Sequence, residues 1–123
     1  MPTKPEELRN RSKQFAIDVV KLVQSLPKTD TARILGRQLL RSATSVAANY
    51  RAVGRSRSRA EFISKIGTVV EEADETVFWL EMLVDTEVVN RSNVEALVVE
   101  ANELLAIFAA SQRTAKSNRK MTR

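Results

Sequence analysis

The chain has 123 residues, 20 Lys/Arg against 15 Asp/Glu, a formal charge of +5, and neither cysteine nor histidine. That length fits one domain, residues 1–123, with enough chain to bury a core without staples. Lack of cysteine excludes disulfides and thiolate metal sites. Lack of histidine removes the commonest metal ligand, the Glu-x-x-His di-iron signature and the usual general base near neutral pH.

The N-terminus MPTKPEELRNRSKQF has no apolar core of signal-peptide length. No run approaches the roughly 18 apolar residues of a membrane span, so a soluble, cytoplasmic protein is expected. Only three glycines and three prolines occur, and a chain so poor in breakers supports long helices.

Helix one is expected over residues 7–26. Glu6 and Glu7 suit the positive helix end, and Leu8, Ser12, Phe15, Val19, Leu22 and Leu26 recur on one face. Pro27 ends it, and Thr29 or Asp30 caps the next helix after a loop short enough to make the two antiparallel. Helix two is expected over 31–54, with Leu35, Leu39, Ser42, Ala43, Val46, Tyr50 and Val53 as its core face. Arg33, Arg37, Arg41, Arg51 and Arg55 form a stripe opposite, with Thr44 and Ala48 in the gap.

Helix three is expected over 59–85. Ser58 and Glu61 make a capping box, and Phe62, Ile66, Val69, Val70, Ala73, Val77, Leu80 and Val84 share a face. Gly67 in mid-helix suggests close packing. Phe78, Trp79 and Met82 fall on the other half, beside Glu71, Glu72 and Glu75. Helix four is expected over 93–115, with Ser92 and Glu95 as a second capping box and Val94, Leu97, Val98, Ala101, Leu104, Leu105 and Phe108 facing the core. Val99 and Ile107 lie off that face, and the basic tail 116–123 is expected to fray. Four helices with short loops predict an all-α, up-down-up-down antiparallel four-helix bundle.

Charge is segregated along this frame. Residues 1–60 hold 13 Lys/Arg against 4 Asp/Glu, residues 61–100 hold 2 against 10, and residues 101–123 hold 5 against 1. The arginine stripe, extended by Arg57 and Arg59 at the turn, suits phosphates of RNA or DNA, which guanidinium groups bind in bidentate fashion. The same residues equally suit acids on a neighbouring subunit, or plain solvation. The cluster Glu71, Glu72, Asp74 and Glu75 lacks the partners that metal binding or acid–base work needs. Ser42, Ser45 and Asn49 suit hydrogen bonds between or within helices. The surplus apolar residues Phe78, Trp79, Met82, Val99 and Ile107 predict an oligomer interface. No nucleophile set, metal set or phosphate loop is present, so no enzyme, cofactor or small-molecule substrate is expected.

RSATSVAANYRA (Arg41–Ala52), RSRAEFISKIG (Arg57–Gly67) and EEADETVFWLE (Glu71–Glu81) together resemble the bacterial four-helix-bundle family often labelled 23S rRNA intervening-sequence protein. Arg41, Ser42, Ala43, Ser45, Val46 and Asn49 match its helix-two pattern, and Ser58, Glu61 and Phe62 its helix-three start. The resemblance runs from about Leu8 to Ala115. Many relatives carry Glu where this chain has Ala52. It implies a bundle that assembles as a ring-like homopentamer, related to the accessory protein of diversity-generating retroelements, which binds nucleic acid. Two functions follow as expectations. One is a non-enzymatic oligomer that binds RNA or DNA without sequence preference. The other is an oligomeric scaffold or adaptor whose charged surfaces meet subunits or a protein partner.

Overall fold

The structure, a computed structural model, describes residues 3–121, with side chains through residue 118. Its elements are α1 (Lys4–Gln24), α2 (Asp30–Val53), α3 (Arg59–Asp85) and α4 (Arg91–Met121). Each helix packs on the next. A thinner seam between α1 and α4 closes the square, and the diagonal pairs stay apart. This is the expected four-helix bundle, and α2 against α3 is its most extensive contact.

Capping chemistry sets the helix limits. The Thr3 hydroxyl accepts from the Glu6 N–H at 3.2 Å, and the Glu6 carboxylate accepts from the Thr3 N–H at 3.3 Å. That reciprocal pair starts α1 three residues before the expected Glu7. Thr29 caps α2 by accepting from the Ala32 N–H at 3.1 Å, and Ser58 caps α3 by accepting from the Glu61 N–H at 3.0 Å. The Glu61 carboxylate meets Lys65 at 3.0 Å and Arg57 at 3.5 Å. These contacts hold its pKa below the usual range, the Lys65 hydrogen bond first among them.

Helix α4 departs from expectation at both ends. The Asn93 N–H donates to the Asn90 carbonyl at 3.0 Å, so Ser92 lies inside the first turn and does not cap it. Glu95 turns to Arg91 at 3.2 Å instead of completing a box with Ser92. Residues 116–121 of the expected frayed tail continue the helix, and 122–123 lie outside the described residues.

The core holds the predicted faces. Phe15, Val19, Leu35, Leu39, Val46, Ile66, Val69, Leu80, Leu104 and Phe108 are all buried, and Tyr50 tilts on Phe108 at 4.9 Å. Thr76 and Leu83 join it too, which carries the buried arc of α3 round toward Trp79. Thr76 Oγ1 and Ser42 Oγ sit 3.0 Å apart in the α2–α3 seam, each also bonded to a carbonyl of its own helix. The expectation of an interhelical hydrogen bond thus holds at Ser42. The bundle centre leaves a void of about 10 Å³ among Phe15, Val46, Ala73, Thr76, Ala101 and Leu104. That is room for about one water and none for a substrate.

Two corrections concern α3. Trp79 and Met82 do not stand in water: both are half-buried and pack on the chain's own core, because the long side chains reach back across the widened arc. Phe78, stacked edge-on against Trp79 at 4.9 Å, does stand out, 49% exposed. Gly67 is not a backbone crossing, since a Cβ there would meet only the Gln112 side-chain amide. The close approach is at Gly36, where a Cβ would come within 2.9 Å of Leu26 Cδ1 in the α1–α2 seam.

Candidate functional site

The arginine stripe divides once its neighbours are known. Arg33, Arg37, Arg41, Arg51, Arg55, Arg57 and Arg59 are all exposed, as their wheel positions imply. Arg33, Arg41 and Arg57 already have a carboxylate within reach. Arg33 meets Asp30 at 3.4 Å, Arg57 meets Glu61 at 3.5 Å, and Arg41 crosses to Glu75 on α3 at 3.8 Å. Arg37, Arg51 and Arg55 form no ion pair among the described residues.

Arg51 and Arg55 border a groove of about 750 Å³ between α1 and α2. Opposite them stand Arg9 and Lys13 of α1, which the sequence reading passed over. Their signal is present as a basic pair four apart on the non-core side of α1, but it becomes a site only when antiparallel packing sets it against the end of α2. Ala16, Ala47, Ala48 and Gly54 also line the groove, together with Asn10 and Thr44. Small side chains along both helices leave the space open. No acid lines it. The Thr44 hydroxyl is turned to its own helix, donating to the Leu40 carbonyl at 2.8 Å. Tyr50 lies beneath, 8% exposed, and burial pushes its phenol up. It offers no ring to a base.

The acids lie elsewhere. On α3, Glu71, Asp74 and Glu75 are exposed and Glu72 is half-buried. Burial, then the charge of Glu75, raises the Glu72 carboxyl above its ordinary value, and its Oε2 is enclosed without a hydrogen-bond partner. The Trp79 indole N–H is likewise enclosed and unpartnered. No group of three or more acidic side chains among the described residues is placed to hold a metal ion. Ala52 is half-buried, and its carbonyl accepts from Lys65 Nζ at 3.5 Å.

Of the residues expected at an oligomer interface, Phe78 and Val99 are 49% and 48% exposed, and Ile107 is half-buried. Ile34, 62% exposed on α2 beside the arginines, adds apolar surface that the wheel reading did not single out. No described helix is long and apolar enough to cross a membrane.

The model of the family described as 23S rRNA-intervening sequence protein matches residues 6–110. Among solved structures, the chain is similar to a protein of unknown function from the S23 ribosomal protein family of Bacteroides thetaiotaomicron VPI-5482. That likeness has 32% identity and a TM-score of 0.82, and covers 90% of this chain and 99% of that one. Neither description names a catalytic activity. No curated protein matches.

Proposed function

This chain belongs to the 23S rRNA-intervening sequence protein family, and on that footing we propose that it is a non-enzymatic, cytoplasmic homo-oligomer that binds RNA or DNA through its arginine surface without reading sequence. The observation that carries this reading is the segregation of charge. Arg51 and Arg55, with Arg9 and Lys13 of α1, border a groove without a single acid, while the acids gather on α3. Cations grouped this way neutralise backbone phosphates and release counterions, a contribution that does not depend on base identity. Exposed Phe78 and Val99 support self-association, and the family resemblance supports a pentamer.

The test is fluorescence-anisotropy binding to labelled RNA and DNA of several lengths, on protein of known native mass, from low to physiological salt. Expected is affinity of about micromolar or better that falls log-linearly with salt. Absence of binding to either polymer at low salt overturns the reading. The same separation of basic and acidic surface suits the scaffold alternative, in which arginines of one copy meet acids of the next. In that reading the native mass itself falls as salt rises, because screening weakens exposed ion pairs.

A further inference from the structure

We infer that the α1–α2 groove is a cradle for a phosphate backbone, gripped from both helices and indifferent to bases, and that it, more than the arginine stripe at large, sets affinity. This rests on the nucleic-acid reading above and narrows it to one place.

Four features of the groove converge. Arg9 and Lys13 face Arg51 and Arg55 across it, so a strand laid along it meets cations on both sides. None of the four has an ion pair among the described residues. By contrast, Arg33, Arg41 and Arg57 must exchange a carboxylate for a phosphate. Ala16, Ala47, Ala48 and Gly54 leave depth for a phosphate to sink between the helices, where low-dielectric walls strengthen the field of the cations.

The lining also contains no aromatic ring, and single-strand binders rely on such rings to stack bases. From Thr44 to Arg55 the groove runs about 16 Å at 1.5 Å per residue. That is long enough for a few successive phosphates of one strand. The ligand chemistry is therefore a linear chain of phosphates. A nucleic-acid strand, single or paired, presents one. So does inorganic polyphosphate, which has no bases at all.

The experiment uses the full chain, with native mass and circular dichroism recorded for every variant. Its probes are a labelled 20-mer DNA of mixed sequence, single-stranded and duplex, with long-chain polyphosphate as competitor. Three variants separate the possibilities, and all alter exposed side chains. Lys13→Gln with Arg51→Gln removes groove charge. Ala48→Leu fills the groove and keeps the charge. Arg33→Gln with Arg37→Gln removes equal charge outside it.

Expected for the first is a salt slope shallower by about 1.8 on duplex, 0.9 per phosphate contact. Ala48→Leu weakens binding about tenfold with the protein's charge unchanged, a loss that a diffuse field around the arginines does not supply. The Arg33/Arg37 variant stays within about twofold of the parent, and polyphosphate displaces both DNA forms. If Ala48→Leu binds like the parent while both charge variants weaken alike, the field is diffuse. The groove inference then fails and the nucleic-acid reading survives. If polyphosphate fails to compete, the cradle reads more than phosphate and the inference is overturned. If Ala48→Leu changes the native mass, the groove seats a second copy and not a phosphate chain. If the parent binds neither DNA form the groove inference fails, and the nucleic-acid reading falls with it only if the RNA probes of the anisotropy series are not bound either.

Discussion

Glu87 follows the end of α3 at φ 61°, the left-handed region that a side chain enters at a cost of about 1–2 kcal/mol. The hydrogen bonds explain why it stays there. The Val88 N–H donates to the Leu83 carbonyl and the Glu87 N–H to the Val84 carbonyl, each at 3.0 Å, which is the glycine-type helix stop made without glycine. Glu87→Gly should therefore raise stability by about 1 kcal/mol, read by urea denaturation. A loss of stability would mean that the side chain itself contributes. Glu72 makes a second prediction. Its folded pKa is raised, so folding binds its proton more tightly. The site is neutral for stability below the unfolded pKa and turns unfavourable as pH rises through the folded value. Glu72→Gln should stabilise the protein at pH 7, and the gain should vanish near pH 4, about where a free glutamate takes up its proton. An equal gain at both pH values would assign it to packing.

The helix seams assign opposite outcomes to two glycines. Gly67 faces the mobile end of Gln112, so Gly67→Ala should collect the helix-propensity gain of about 1 kcal/mol and raise Tm. Gly36 faces Val23 of α1 and buried Leu26 just past its end, so Gly36→Ala should lower Tm by forcing the seam apart. Thermal melts of the two variants moving in the same direction would contradict this. That contrast also marks how far the sequence could be read. The core face of α2 was legible because period 3.6 fixes which side chains share a side, and all seven predicted residues are buried. The limits of α3 were legible because Ser58 caps in isolation. Which glycine sits at a crossing, and that Arg9 and Lys13 complete a groove, depend on the register between two helices. A single helical wheel carries no register. Trp79 was misjudged for a related reason: a helix with two packed neighbours buries a wider arc than one seam implies.

Taken together, the four helices present two electrically distinct faces, basic along α1–α2 and acidic on α3. On the proposed reading, such a surface steers a polyanion to one side and sets the basic face of one copy against the acidic face of the next, a head-to-tail contact that can close into rings. One feature of the packing bears on time as well as on shape. Three of the four seams join helices adjacent in the chain, and only α1–α4 brings the two ends together. That seam is the thinnest, and the Arg11 guanidinium clasps it by meeting Glu100 at 2.9 and 2.6 Å and Glu103 at 3.2 Å. The hydrogen bond to Glu100 chiefly raises the Arg11 pKa. Loop-closure entropy makes the contact between the ends the last worth forming, so the transition state should hold the three local seams and leave the clasp open. Arg11→Ala should then accelerate unfolding with little change in the folding rate, at a cost of about 1 kcal/mol for a partly exposed pair. Stopped-flow chevrons would show this as a shift confined to the unfolding arm. The clasp is thus a latch on lifetime: it governs how long the bundle stays shut, and has little influence on how quickly it forms.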